Sequence, residues 1–455
     1  MLVRAVSYPL RDAVETEVGR MSTAQSRRPA STFELANARK GRLDSPLSVF
    51  PFFVAYLLPV VFLRSTQRAL CNSWTCAWFV FAVLPVLEMV VPDDLANPTH
   101  EESRRAAKDW RYKIPLYLWA LPQCAAIIAG AHAFCDADAS LHRKLGLVLS
   151  AGVCTGGVGI TVAHELLHKD NKLELFLAKF LLSSVCYAHF GVEHRFGHHR
   201  RVGTSADPAT AARRQSFYAF WARSVVGTYR GAWRIWRGDG DFDLSDAAKR
   251  TFGRAFMRDA HLFPALWAVA LFSANARRAD AVVFFLAQAL VAATLLELVN
   301  YLEHYGLRRE RVEAPSLRAD PREAYEPVNP AHSWNAPQRV TNWFLFRLQR
   351  HSDHHARSAT PYQALRTYAE APTLPTGYAG MLLVALTPWW FEKCLGPVLD
   401  ARLADAKGDD EDAGAKEKTR KRVADADALA RRRARVGVLV ATALVTAVAW
   451  APAMR

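Results

Sequence analysis

Histidines and their acidic neighbours dominate the parts of the sequence that could do chemistry. The segment 161–169, TVAHELLHK, carries an HExxH pattern. His164 and His168 would share one face of a helix, because residues four apart lie one turn apart. Taken alone, the pattern predicts a zinc peptidase with Glu165 as the general base. Three further histidine clusters, which a peptidase would leave unexplained, follow at 193–199, 300–306 and 348–355.

The four clusters together offer more ligands than one metal ion needs. They hold nine of the chain's 15 histidines, whereas a zinc site takes about four ligands in all. The surplus predicts two metal ions, and imidazole suits iron, copper, zinc and nickel alike, so ligand type leaves the metal open. The candidate ligands are His164, His168, His194, His198, His199, His304, His351, His354 and His355. The other six histidines are interpreted as structural by default, although His332 lies close enough to the last cluster to be a further candidate.

Four acidic residues lie within or beside these clusters: Glu165, Glu193, Glu303 and Asp353. A metal-bound histidine usually donates its second ring N–H to a carboxylate or another acceptor, which fixes the orientation of the ring. We therefore expect these carboxylates to orient the imidazoles, and any of them could instead ligate or bridge the metals. Glu165, Glu303 and Asp353 are the candidate catalytic residues.

The elements that must position these residues are apolar runs close to the length that crosses a bilayer. They lie at 48–64, 75–92, 114–133, 145–163, 260–275 and 281–299, with a seventh at 436–453. The runs predict an all-α, polytopic membrane helical bundle with six core transmembrane helices and a seventh, C-terminal span. A buried core helix is the alternative for 260–275, and a docked helix is the alternative for 436–453.

Basic segments predict which side of the membrane carries the histidines. The N-terminal arm and the stretch 101–113 are both rich in arginine and lysine, and the positive-inside rule places both in the cytosol. If 173–189 lies in or near the membrane without crossing it, all four clusters form a cytosolic cap. The predicted division is 1–45 as a basic, disordered arm or a transit peptide, 46–400 as the membrane domain, 401–435 as a charged linker and 436–453 as the extra transmembrane helix.

Composition limits the cofactors and partners. The chain has 455 residues and seven cysteines without a CxxC pair, and it lacks a GxGxxG fingerprint. Neither a built-in rubredoxin centre nor a dinucleotide site is indicated, so any electrons must come from another protein. The net charge of +15 favours an acidic donor protein and anionic lipid headgroups alike. The aromatic and basic region 203–259 favours an interfacial amphipathic helix over a nucleic-acid site.

A histidine-rich centre for two metals at the membrane face of an apolar bundle points to oxygen activation by non-haem di-iron. Zinc has no redox chemistry, whereas iron can be reduced, react with dioxygen and oxidise an unactivated C–H bond. An apolar substrate would reach such a site directly from the lipid. The same reasoning makes a metal transporter less suitable, since transporter ligands lie near the bilayer midplane and these lie at helix ends.

The histidine motifs also resemble those of one family, the membrane alkane 1-monooxygenases, or AlkB-type alkane hydroxylases, of the integral-membrane di-iron proteins. The resemblance covers about residues 50 to 395 and is most specific at 300–307, NYLEHYGL. The motif at 300–307 separates this family from fatty acid desaturases and sterol hydroxylases, which share only the general histidine pattern. The other matching motifs are 164–169, 193–199 and 348–355.

The resemblance implies a fold, a cofactor and a reaction. It implies six transmembrane helices and two iron ions held by the nine histidines. It further implies hydroxylation of the terminal carbon of an alkane, with dioxygen and with electrons from a rubredoxin or a ferredoxin-type donor. The alternatives within the same di-iron family are a membrane fatty acyl desaturase and an aromatic-methyl hydroxylase of the xylene type.

Overall fold

The apolar runs of the sequence form helices in the computed structural model of the protein. The structure describes residues 43, 45–67, 72–238, 247–312, 325–406 and 413–451. The predicted basic arm at 1–45 therefore lies almost entirely outside the described residues. Within the described ranges no strand occurs, and the β pairings are two isolated bridges, Arg311 with Tyr325 and Asn335 with Thr373. The predicted helical character of the fold is confirmed.

Fifteen helices are numbered here in chain order through the described parts of the chain. They are α1 (Leu47–Thr66), α2 (Thr75–Val90), α3 (His100–Lys108), α4 (Trp110–Phe134), α5 (Leu141–Leu167), α6 (Lys172–Ser183), α7 (190–201), α8 (Phe217–Arg237), α9 (Ala247–Ala274), α10 (Arg278–His304), α11 (Arg339–Phe344), α12 (His351–Ala356), α13 (Tyr378–Ala385), α14 (Pro388–Ala406) and α15 (Ala413–Ala449). Short 3-10 turns lie at Pro330–His332 and Tyr362–Ala364.

Four of these helices, α1, α4, α5 and α10, are long and apolar enough to cross a membrane. They contain the predicted spans at 48–64, 114–133, 145–163 and 281–299. The predicted span at 75–92 corresponds to α2, which is apolar but shorter than the four. Residues 260–274 form the second part of the 28-residue α9, which is not among the four in the described part of the chain.

Glycines allow α5 to lie against α10 at close range. A Cβ atom added at Gly156 would lie 2.5 Å from the backbone Cα of Ala292, and one added at Gly152 would lie 2.4 Å from Val291. Small residues at such crossings let transmembrane helices approach closely. The pair α5 and α10 is the part of the bundle that carries the first and third histidine clusters.

Polar caps fix where the helices near the histidines begin. Ser140 accepts a hydrogen bond from the backbone N–H of Arg143 at the start of α5, and the Asn171 side chain accepts from the first turn of α6. Ser216 caps α8 in the same way. Because α5 ends at Leu167 and Asn171 already caps α6, His168 lies in a short, tightly defined connection.

The C-terminal helix α15 lies along the bundle. Its last turns contact α2 and the residues just before it: Trp78 donates to Thr446 Oγ1 at 3.0 Å, and Asn72 donates to the Ala449 carbonyl at 2.7 Å. Its earlier part packs on α14, where Arg433 donates to the Lys393 carbonyl. The segment predicted as a charged linker, 401–435, thus contributes the end of α14 and the first part of α15, with 407–412 outside the described residues.

Candidate metal centre

The end of α5 supplies the first two histidines. A π-helical turn at Val153–Ile160 precedes the HExxH segment, and such turns are frequent at functional sites. His164 lies in the last turn of α5 and His168 just beyond it. Their ring centroids are 5.2 Å apart, so both rings face the same region.

The helix α7 supplies three histidines through a second π-helical turn at His194–His198. In an α-helix, residues five apart diverge around the axis, whereas the wider π turn brings them onto one face. The Nε2 atoms of His194 and His199 accordingly lie 3.0 Å apart. The local widening of the helix therefore sets the position of three candidate ligands.

The last four histidines come from α10 and α12. His304 is the final residue of α10, and α12 begins at His351. Just before α12, Phe346 and Arg347 have left-handed backbone conformations, with φ of 47° and 54°, which are costly for residues other than glycine. Arg347 donates to the Gln363 carbonyl at 2.8 Å and helps to hold this turn, which directs α12 into the bundle.

All nine candidate ligands are brought together in two groups. Within each group every residue can offer one ligand nitrogen, and these nitrogens all lie within 4.8 Å of one another. We call the two sets the five-histidine group and the four-histidine group. The five-histidine group is His164, His168, His194, His199 and His354, and the four-histidine group is His198, His304, His351 and His355.

The ring nitrogens within each group converge. In the five-histidine group, His194 Nε2 lies 3.1 Å from His168 Nε2, and His354 Nε2 lies 3.1 Å from His199 Nε2. In the four-histidine group the Nε2 atoms of His198 and His355 are 3.3 Å apart, and those of His304 and His351 are 3.2 Å apart. Imidazole nitrogens aimed at a shared point form the donor set of a metal site.

The protonation of these rings suits metal binding. Burial lowers the pKa of His194, His351, His354 and His355 well below the usual value for histidine. These four rings are therefore neutral at physiological pH, as metal ligation requires. His198 differs, because burial acts to lower its pKa but Asp207 outweighs burial and raises the pKa of His198 above its usual value. The residues present fit two metal ions, one in each histidine group.

Two carboxylates contact the four-histidine group. Asp207 Oδ2 lies 2.9 Å from His198 Nδ1, and the Thr210 hydroxyl donates to the same oxygen at 2.6 Å. Burial raises the pKa of Asp207, but His198 outweighs this effect and leaves the pKa below its ordinary value. Glu303 Oε2 lies 3.1 Å from His351 Nε2, and its other oxygen accepts from the Tyr378 hydroxyl at 2.8 Å.

The other three predicted carboxylates are engaged by cations. Glu165 pairs with Lys169 at 2.7 Å, and Asp353 accepts from Arg357 at 2.7 Å and from Tyr368 at 2.8 Å. Glu193 pairs with Arg201 at 2.5 Å. Burial raises the pKa of Glu193 to about 7, although Arg201 acts in the opposite direction.

Sequence reasoning missed two neighbours of the site. Asp207 and Tyr378 are not among the candidate site residues of the sequence. Each lies in or beside an irregular segment outside the four histidine clusters, so spacing gave no signal for a contact with a ligand. His332, the further candidate, instead bonds Glu326 at 3.0 Å and lies outside both groups.

An apolar cavity reaches the histidines from within the bundle. His164 and His194 of the five-histidine group and His351 of the four-histidine group contribute to its wall. Glu303 and Tyr378 lie on the same wall. The other lining residues are mostly aliphatic or aromatic, among them Leu58, Phe81, Leu295, Val299, Phe344 and Leu382.

Comparison with known proteins finds one matching family and several similar proteins. The fatty acid desaturase family matches residues 142–384. Alkane 1-monooxygenase 2 of Alcanivorax borkumensis is 36% identical over 337 residues, covering 72% of this chain and 83% of that protein. Alkane 1-monooxygenase 2 of Pseudomonas aeruginosa is 37% identical over 341 residues, covering 73% of this chain and 85% of that protein.

A more distant relative is the xylene/toluene monooxygenase hydroxylase component XylM of Pseudomonas putida. It is 26% identical over 260 residues, which cover 56% of this chain and 64% of that protein. The alkane 1-monooxygenases are matched over more of their length and at higher identity. The chain belongs to the alkane 1-monooxygenase family of integral-membrane oxidoreductases.

Proposed function

We propose that the protein hydroxylates the terminal carbon of alkanes, using dioxygen and electrons from a separate donor protein. The observation that carries this proposal is the contact of one apolar cavity with both histidine groups, through His164, His194 and His351. The reaction is RH + O₂ + 2 e⁻ + 2 H⁺ → ROH + H₂O. An unbranched hydrocarbon is apolar, as most of the cavity wall is, and it would enter from the lipid without crossing water.

Two iron ions bound by the two histidine groups would supply the redox chemistry that dioxygen and an unactivated C–H bond require. The protein's own residues would hold the iron, place the alkane and exclude water. Aliphatic and aromatic side chains surround the hydrocarbon, and burying it releases about 0.8 kcal/mol per methylene. Glu303 is the proposed catalytic carboxylate, since it borders both His351 and the cavity. For Glu165 and Asp353 we propose a role in orienting the segments that carry the histidines.

A basic depression on the surface supports an acidic electron donor of the rubredoxin or ferredoxin type. Arg213, Arg214, Arg223 and Arg308 line it together with Thr210. Electrostatic complementarity between such a patch and an acidic protein steers association. From the depression, Thr210 bonds Asp207 and Asp207 bonds His198, which is a short route to the four-histidine group.

The topology we propose has the histidine groups on the cytosolic face. The support is the arginine and lysine content of 101–113 and of the segment before 436. In this arrangement residues 46–400 form the hydroxylase domain, α2 and the end of α9 complete six core spans, and the apolar half of α15 is the seventh. The exposed arginines of α8, among them Arg230 and Arg234, would lie at the level of anionic headgroups.

Metal content of the purified protein tests the proposal, together with the variant His351→Ala. We expect two irons per chain in the wild type and a loss of iron and of alkane hydroxylation in the variant. Hydroxylation would be measured with a rubredoxin and its reductase as the electron source. One zinc per chain, retained in the variant, would refute the proposal in favour of a peptidase centred on His164, Glu165 and His168.

The cavity itself is tested by Gly157→Leu. Gly157 lines the cavity, and a Cβ atom added there would meet nothing within 4 Å, so a larger side chain can enter the empty space. We expect a shift in preference towards shorter alkanes, by about fourfold in kcat/KM for each methylene that loses its place. Products from a series of alkanes of increasing length measure this shift.

Gly152→Ala, at the same helix crossing but outside the cavity lining, is the control for that variant. Its Cβ would lie 2.4 Å from the Val291 side chain, so it should lower the stability of the bundle without changing the ratio of products. An unchanged chain-length preference in Gly157→Leu would show that the alkane binds elsewhere.

A further inference from the structure

A second set of buried polar side chains lies away from the histidine groups, on a different face of α10 from the cavity. Its centre is Glu297, which is fully buried. The Tyr187 hydroxyl donates to Glu297 Oε1 at 2.7 Å, and Ser224 and Asn300 are further polar neighbours of this carboxylate. A carboxylate buried in a membrane helix is costly and commonly marks a functional position.

Two polar atoms of this set, Thr228 Oγ1 and His189 Nε2, lack a hydrogen-bond partner among the described residues. Thr228 lies on the buried face of α8, one turn from Ser224. Buried polar atoms are almost always satisfied by protein or by ordered water. Two such atoms beside the buried Glu297 carboxylate therefore indicate bound water.

The set continues outwards from Tyr187. The ring of His189 lies 4.4 Å from that of Tyr187 and 5.3 Å from that of Tyr229. The Tyr229 hydroxyl bonds His261 Nε2 at 3.0 Å, and both of these residues are exposed. Burial lowers the pKa of His189 to about 3, so its ring is neutral and can accept a proton at one nitrogen and donate from the other.

The polar set around Glu297 also reaches the cavity. Asn300 lies one turn after Glu297 on α10 and contributes to the cavity wall. Most of that wall is apolar, so protons cannot cross it freely. The neighbourhood of Glu297 thus joins an exposed pair, Tyr229 and His261, to the compartment where the hydrocarbon would be oxidised.

We propose that Tyr187 and Glu297 carry protons from the exposed side of α8 to the cavity. This inference rests on the proposed function, in which each turnover consumes two protons and two electrons, and the electrons come from the donor protein. The Tyr187 hydroxyl gives a proton to the Glu297 carboxylate. The tyrosine regains a proton from the His189 ring through bound water, and that ring regains one from the exposed pair, Tyr229 and His261. Glu297 passes its proton into the cavity beside Asn300. No electron moves along this path.

The variants Tyr187→Phe and Glu297→Gln test the proposal in the full-length, iron-loaded protein reconstituted in lipid. Tyr117→Phe is a matched control, because the Tyr117 hydroxyl also donates to a carboxylate, Glu174, at 2.7 Å. Three quantities are measured: iron per chain, alcohol formed per electron supplied, and the rate of alcohol formation in H₂O and in D₂O.

We expect both test variants to keep their iron and to form alcohol roughly 10²-fold more slowly, the lower end of what positioned proton transfer contributes. Their solvent isotope effects should exceed that of the wild type, and more dioxygen should be consumed per alcohol, while Tyr117→Phe should behave as the wild type. If both variants keep wild-type rates and isotope effects, the proton path is wrong and the proposed function stands. The same conclusion follows if activity falls only in proportion to the loss of iron. A wild-type protein that forms no alcohol would overturn the proposed function and this inference with it.

Discussion

The two histidine groups differ in their surroundings. In the four-histidine group all four rings are buried, and carboxylates contact two of them, Asp207 at His198 and Glu303 at His351. In the five-histidine group His168 and His199 are partly exposed. Its nearest predicted carboxylates, Glu165 and Glu193, pair with cations instead.

The difference bears on how firmly each group would hold a metal. An acceptor that bonds the second nitrogen of a ligating histidine fixes the ring and makes it a better ligand. The four-histidine group has one such acceptor, Asp207 at His198 Nδ1, whereas Glu303 contacts the converging Nε2 of His351. This group has no ligand to spare, and the five-histidine group has an additional ring. We expect metal binding in the four-histidine group to depend on every ring and on Asp207, and metal binding in the five-histidine group to tolerate the loss of one ring.

Removing one ligand from each group gives the largest expected contrast. His355→Ala leaves three rings in its group, whereas His168→Ala leaves four. We expect about one iron per chain and no hydroxylation in His355→Ala, because a three-histidine remnant loses its metal. His168→Ala should retain close to two irons with reduced activity. Elemental analysis and alcohol formation are the measurements, and equal iron loss in the two variants would contradict the asymmetry.

Substitutions of the carboxylates near the two histidine groups should give a smaller difference in metal affinity. Asp207→Asn removes the anionic acceptor beside His198 and should weaken metal binding to the four-histidine group by about 10- to 100-fold. Glu165→Gln removes an ion pair with Lys169 and should change metal affinity little. Competition with a chelator, followed by iron content, measures both. If Glu165→Gln weakened metal binding more than Asp207→Asn, the proposal that Asp207 strengthens metal binding to the four-histidine group would be wrong.

Spacing in the sequence identified all nine rings that meet, but it could not assign them to groups. His198 and His199 are neighbours in the chain and belong to different groups, as do His354 and His355. Helix periodicity predicts that residues four apart share a face, yet the π-helical turn in α7 aligns His194 with His199 instead. Such a turn has no distinct sequence signature, so the partition required the structure.

The fold was predictable where hydropathy is unbroken and less so elsewhere. Four apolar runs became membrane-capable helices with little change in their bounds. The run at 75–92 ended early, at Val90, with Pro92 shortly after it, and proline cannot continue a helix. The run at 260–275 joined the preceding polar residues in the single helix α9. Asp207 lies in irregular chain between α7 and α8, where neither periodicity nor motif spacing predicts contacts.

The smallest expected difference between the two histidine groups comes from removing one tyrosine hydroxyl near each of them. Tyr378 donates to Glu303, which contacts the four-histidine group, and Tyr362 donates to the Tyr112 carbonyl while its backbone N–H reaches Glu165. Each hydroxyl is buried, so removing either leaves an acceptor short of a donor at a cost of about 1–3 kcal/mol in stability.

Thermal unfolding should therefore change similarly in Tyr378→Phe and Tyr362→Phe. Hydroxylation should not, because only the Tyr378 hydroxyl holds the carboxylate that borders both the cavity and His351. We expect alcohol formation to fall about tenfold in Tyr378→Phe, the equivalent of one lost hydrogen bond, with iron retained. Equal rates in the two variants would mean that Glu303 keeps its position beside His351 and the cavity without the tyrosine.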